Sequence, residues 1–150
     1  MASISFELTT PERIVLKEEA DGLTVPTRAG EITVLPGHIP LVSELAPGMI
    51  TVHKGGQESY LAVSGGFLEV QPGSRVIILA DSAERAEELD LKKVEEARER
   101  AQKLLEEKRQ AADVSSAAAV ASLERELARL RVIRKHRSRG IPDIGQAGKE

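Results

Sequence analysis

Cysteine is absent from the 150 residues, and so is tryptophan. Without cysteine there is no disulfide framework, no thiolate nucleophile and no Cys-ligated zinc, a usage compatible with a reducing cytoplasm. Aromatic residues make up only 2% against a hydrophobic fraction of 41%, so any core must be built from Val, Ile, Leu and Ala. No apolar run is long enough to span a bilayer. The opening Met-Ala-Ser-Ile-Ser-Phe lacks the charged and apolar regions of a signal peptide. Membrane association is therefore expected to be peripheral, through a partner. A net charge of −3 gives no whole-chain reason for nucleic-acid binding.

Catalytic constellations are also missing. His38 stands alone, with no nucleophile or ligand cluster in its neighbourhood. The glycine pairs at 55–56 and 65–66 lack the Gly-Lys-Ser/Thr ending of a phosphate loop. Asp81, Glu84, Glu87, Glu88 and Asp90 form an acidic cluster without the spacing of a calcium loop. Acidity favoured at a helix start is the simpler reading. No metal site is expected.

What is present divides into two halves. Residues 3–80 follow a period of two. Ile4, Phe6 and Leu8 share one face, with Ser5, Glu7 and Thr9 on the other. Lys54-Gly55-Gly56-Gln57 reads as a hairpin turn rich in positive-φ options. Gly65-Gly66 inside apolar sequence signals a bulge or a close backbone approach. Val76-Ile77-Ile78-Leu79 does not alternate, so both its faces are expected to be buried. Short strands at regular turn spacing predict a β-sandwich, or flattened antiparallel barrel, over residues 1–84.

After Asp81 the period changes to that of a helix. Asp90 is the expected N-cap of a helix over 91–109 with an apolar stripe of Val94, Ala97, Ala101, Leu104 and Leu105. A short connection, with Asp113 or Ser115 as cap, leads to a second helix with Val120, Leu123, Leu127 and Leu130 in line. Together they predict an antiparallel α-helical hairpin over 85–139. Its buried area is small, so it should be marginal alone, and an element with two comparable resting places can act as a switch. From Arg125 to Arg139 the chain carries Arg125, Arg129, Arg131, Arg134, Lys135, Arg137 and Arg139 against Glu126 alone. The segment lacks the aromatic and glycine partners of nucleic-acid binders, leaving a solvated surface or a docking face for an acidic protein. Residues 140–150 are too rich in glycine and too poor in apolar residues to order themselves, and are expected to be a disordered tail.

The densest segment is Glu31 to Ile50. Pro36-Gly37 and Pro47-Gly48 punctuate it, and a corner carrying His38, Glu31 and Glu44 is expected between them. Here the chain resembles the epsilon subunit of bacterial F-type ATP synthases. The resemblance rests on Thr10-Pro11-Glu12, Val25-Pro26, Gly30-Glu31, Leu35-Pro36-Gly37-His38-Ile39-Pro40-Leu41, Pro47-Gly48-Met49, Val63-Ser64-Gly65-Gly66-Phe67-Leu68-Glu69-Val70 and Leu79-Ala80-Asp81. These phrases stand in the family's order and spacing. The match covers roughly residues 1–133.

The resemblance implies a non-catalytic rotor subunit in the central stalk of a proton-translocating ATP synthase. Thr10, Glu31, His38 and Ser43 would meet the polar loops of the c-subunit ring, and an apolar sheet face would pack on the gamma subunit. Arg125, Arg129, Arg131, Arg134 and Lys135 would dock on an acidic loop of a catalytic beta subunit and inhibit ATP hydrolysis. The location implied is the cytoplasmic face of the bacterial inner membrane. No cofactor is required. Some relatives bind ATP through an Ile/Leu-Asp-x-x-Arg-Ala motif and two helix arginines. The matching positions are Leu89, Asp90, Lys93 and Val94, with Glu84, Arg100, Arg125 and Arg129. Lysine at 93 loses the bidentate fork and valine at 94 adds bulk, so ATP is expected as a weak regulatory ligand only.

Two other readings of the residues stay open. One is a stand-alone β-sandwich that binds a small ligand or peptide and dimerises through its helices. The other is an enzyme, for which the chain offers no convergent triad or metal set.

Overall fold

The computed structural model describes residues 2–110 and 116–140. Ten strands come first: β1 Ile4–Thr9, β2 Ile14–Ala20, β3 Gly22–Thr27, β4 Gly30–Val34, β5 Leu41–Leu45, β6 Gly48–Lys54, β7 Gln57–Val63, β8 Gly66–Gln71, β9 Arg75–Ala80 and β10 Ala83–Arg85. A 3-10 turn at Ala86–Glu88 leads to helices α1 (Leu91–Gln110) and α2 (Ser116–Gly140). The expected cap at Asp113 or Ser115 lies outside the described residues, as does the tail expected over 140–150 except for Gly140, which ends α2. The boundary expected at residue 84 falls inside β10.

The strands form one sheet in the order β10-β7-β6-β3-β5-β8-β9-β1-β2, with β4 paired to the free side of β3. The sheet wraps round a single core that includes Ile4, Phe6, Leu8, Leu23, Leu45, Ile50, Leu68 and Ile78. Alternation sends each of these inward and its neighbours outward. The Arg85 guanidinium donates to the Val15 carbonyl at 2.7 Å, drawing the two end strands together into a nearly closed barrel. The ladders are antiparallel except β1–β9, which is parallel, with Ser5 opposite Arg75.

Two glycine sites are required by geometry. Gly55 and Gly56 both have positive φ, 59° and 75°, and close the β6–β7 hairpin as the sequence predicted. A Cβ on Gly66, at φ +126°, would lie 2.0 Å from the Leu79 carbonyl oxygen, which is the close approach signalled by the glycine pair.

β9 departs from expectation. Val76 and Ile78 are buried, but Leu79 is 57% exposed. The strand alternates after all, and its apolar outward residues belong to an uncovered sheet face.

α2 lies between α1 and the sheet. Leu130 and Ile133 meet Val94 at the helix–helix seam, while Val132 packs on Tyr60, Ala62 and Ala86. Being buried on two sides shifts the stripe from the expected one. Leu127, placed in it by spacing, is 45% exposed, and Leu104 on α1 is exposed as well. The Asp90 carboxylate caps α1 as expected, accepting from the Lys93 backbone N–H at 3.3 Å.

Candidate functional site

Strand register separates the residues expected to share one corner. Gly30 pairs with Thr27, Thr27 with Leu45, Leu45 with Gly66 and Gly66 with Ala80. Glu31 and the Thr10 turn therefore sit at this end of the barrel. His38 lies at the other end, beyond the far end of β4. Its backbone N–H donates to Leu35 at 3.0 Å, and the neighbouring Gly37 N–H donates to Ser74 Oγ in the β8–β9 turn at 2.8 Å. At about 3.3 Å per residue, β4 alone puts on the order of 10 Å between Glu31 and that turn. Ser43 is half-buried in mid-β5, on the same side as Leu41 and Leu45. Thr10 is tied locally, with N–H and Oγ both donating to the Arg13 carbonyl at 2.9 and 3.3 Å. The single corner is thus two separate ends joined by an edge strand. Glu44 belongs with Glu31's end, where its carboxylate stands 3.6 Å from Arg28.

Between the two ends runs an uncovered apolar face. Phe67, opposite Leu79 in the β8–β9 ladder, is 59% exposed. Thr9 pairs with both Leu79 and Ile14, and Ile14 and Val42 are exposed too. Exposed apolar side chains gathered on one sheet face are the kind of surface that marks protein contacts.

The hairpin is folded down on the barrel, held by ion pairs as well as by the apolar seat of Val132. Arg129 donates from Nε to Glu84 on β10 at 2.6 Å, makes a second bond to the same carboxylate, and donates from Nη1 to Glu126 at 2.6 Å. The Glu84 hydrogen bonds raise its pKa further, so it stays charged. Glu126 is only 4% exposed, and one of its oxygens has no partner. At the far end of α2, Arg139 pairs with Glu58 at 2.8 Å and stacks 5.7 Å above the Tyr60 ring. Tyr60 donates to Glu58 at 2.8 Å, and with Arg139 and His53 this holds the Glu58 carboxyl below the usual range. Sequence reasoning missed this latch. Its signal was the single tyrosine of the chain, on the strand that α2 crosses.

The basic residues of α2 do not share one face of the helix. Arg129 reaches Glu84 on β10 and Glu126, and Arg125 stands near Glu126, while Arg131 stands about 200° round the helix from Arg129. Arg131, Arg134 and Lys135 are exposed. Of the nucleotide set, Asp90, Lys93, Arg100 and Arg129 line one open cavity of ≈ 370 Å³, together with Glu88 and Glu126. Glu84 reaches it through Arg129, and Arg125 stands 3.8 Å from Glu126. The acidic cluster is split as well: Asp90 caps a helix, Glu88 binds Arg13 at 2.9 Å, and Glu84 is a strand residue.

Among the described residues no group of three or more His, Asp and Glu could hold a metal, and no helix is long and apolar enough to cross a membrane. The fold and surfaces define a β-barrel with a docked helical hairpin, built to contact other proteins. The beta-sandwich model of the ATP synthase delta/epsilon chain matches residues 3–86. The ATP synthase epsilon chain of Moorella thermoacetica is 47% identical over 132 residues, 87% of this chain and 96% of that one. The epsilon chain of Chloroflexus aggregans is 42% identical over 134 residues, covering 89% and 94%. This chain belongs to the ATP synthase epsilon-chain family. Among solved structures, a chain of the Euglena gracilis mitochondrial ATP synthase OSCP/F1/c-ring assembly superimposes with a TM-score of 0.74. It is 30% identical, over 91% of this chain and 82% of that one. A chain of the Tetrahymena thermophila central stalk and c-ring shares the fold, with a TM-score of 0.54 at 14% identity over 89% and 95%.

Proposed function

We propose that this chain is a non-catalytic rotor subunit that joins gamma to the c ring and restrains ATP hydrolysis through its helices. The observation that carries the reading is the uncovered apolar face of Ile14, Val42, Phe67 and Leu79 beside a hairpin whose docking depends in good part on ion pairs. The face packs on gamma. Thr10, Glu31, Ser43 and His38 meet the c ring along the edge that joins the two ends, a span of about 10 Å that a single interface covers. The complex holds the chain at the cytoplasmic face of the membrane. On release from Glu84, Glu126 and Glu58, α2 offers Arg125, Arg129, Arg131, Arg134 and Lys135 to an acidic surface of beta.

ATP is at best a weak ligand of the cavity beside Asp90. Arg129 is already held by two carboxylates, and a triphosphate would face Glu88, Asp90 and Glu126 there.

The test is ATPase activity of a reconstituted catalytic complex with the full chain and with a chain ending after Asp90. Higher activity with the shortened chain, by an amount that shrinks at high salt, is expected. Equal activity at every salt concentration rejects inhibition by the hairpin. For the stalk role, Phe67→Ser with Leu79→Ser should abolish co-purification with gamma while leaving the isolated fold intact. Retained co-purification rejects that face as the gamma contact.

A further inference from the structure

Opposite the cavity beside Asp90, on the other side of the α1–α2 seam, lies a second one of ≈ 440 Å³. The two share no lining residue. Arg98 of α1 faces Arg131, Arg134 and Lys135 of α2 across it, and Leu127 and Leu130 form its floor. The three α2 cations occupy i, i+3 and i+4, so they crowd one helix face, a like-charge arrangement that costs stability. No carboxylate lines the cavity. Arg13, Arg28, Arg125, Arg129 and Arg139 each have an acid within 4 Å. Among the described residues, none of these four cations takes part in such a pair. Arg98 Nε is shielded from solvent and has no hydrogen-bond partner. Ser138, at the rim, spends its hydroxyl proton on the Lys135 carbonyl at 2.9 Å and leaves the cations as the donors.

We infer that this cavity binds a small phosphate-bearing anion. Three guanidiniums offer planar forks that match phosphate oxygens two at a time, and lysine adds a mobile point charge. The cavity size suits a ligand larger than a single phosphate group. The apolar floor would lie under a nucleoside, whereas an inorganic oligophosphate would use the cations alone. Because Arg98 comes from α1 and the others from α2, a bound anion ties the two helices together. It also covers three of the cations assigned above to the beta contact. The site itself does not rest on that assignment.

The experiment is calorimetric titration of the full chain with pyrophosphate and with metal-free ATP at constant ionic strength. Saturable one-to-one binding is expected, together with a higher unfolding temperature of the helices. Arg98→Gln should weaken binding about tenfold or more, since charge-assisted bonds of this kind carry that much. Lys93→Gln, in the opposite cavity, should change pyrophosphate binding by less than about twofold, because Lys93 lines no part of this site. Equal affinity for the two probes identifies the phosphates as the recognised group, and tighter ATP binding places the nucleoside on Leu127 and Leu130. If Arg98→Gln does not fold, Arg134→Gln with Lys135→Gln must show the same weakening. Binding lost in Lys93→Gln but kept in the other variants overturns the proposal, and so does heat that never saturates.

Discussion

Replacing Arg129 by methionine removes the cation that two carboxylates share. Glu84 is partly exposed and can return to water. Glu126 cannot: it is 4% exposed, one of its oxygens is already unpartnered, and Arg125 stands 3.8 Å away, beyond hydrogen-bond reach. Breaking a buried pair from one side costs about 3–5 kcal/mol. The exposure of Glu84 and the nearness of Arg125 reduce this to about 2–3 kcal/mol here. The apolar contribution to docking is of similar size. Val132, wholly buried against Tyr60, Ala62 and Ala86, supplies about 1.5–3 kcal/mol. The substitution should therefore loosen the hairpin and leave the barrel folded. Amide hydrogen exchange followed by mass spectrometry separates the two. Peptides from 116–140 should exchange roughly 30- to 150-fold faster, at 1.4 kcal/mol per tenfold, with strand peptides unchanged. Adding Glu126→Leu should restore much of the protection, because the stranded carboxylate is gone. Unchanged exchange in α2, or equal loss in the strands, refutes the account of docking. A double variant no slower than the single one refutes the role given to Glu126.

Arg139→Gln should free the last turn of α2 from Glu58 and Tyr60, seen as faster exchange near 133–140 with the barrel unaffected. The same latch is pH-dependent. Tyr60, then Arg139 and His53, hold the Glu58 carboxyl below its ordinary value, so its contribution is present above that value and is lost as pH falls through the depressed one. Protection of the last turn should fall as pH drops below the ordinary carboxylate range in the wild type and stay flat in Glu58→Gln. Gly66→Ala would drive a Cβ into the Leu79 carbonyl and should destabilise the barrel by about 3 kcal/mol or more, measured by urea unfolding.

The barrel was legible where alternation is clean: Ile4, Phe6 and Leu8 are all fully buried, and the glycine pairs fall at their turn and close approach. It was not legible in β10, because Ala83-Glu84-Arg85 is too short to show a period. Leu79 misled because an apolar run reads as buried on both sides, whereas one side awaits a partner. Glu31 and His38 are close in sequence, yet a strand separates them, and spacing alone does not distinguish a corner from an edge. The hairpin's existence and the Asp90 cap were legible from helical periodicity. Its seating was not, since Arg129 and Glu84 stand 45 residues apart. Glu126, the lone acid in a basic stretch, was the visible clue to that ion pair.

The parallel β1–β9 ladder sets an order of events during synthesis. Ser5 waits for Arg75. At about 5–20 residues per second the first hairpin, complete at Ala20, spends roughly 3–11 seconds without its neighbour. Over that interval β1 presents an unsatisfied edge to any passing strand. The helices come later still. Their seat, made by Tyr60, Ala62 and Ala86, is complete only once the barrel is nearly closed. The element assigned the regulatory role is thus the last to be placed, and a chain terminated and released near residue 90 would be a finished barrel with nothing upon it.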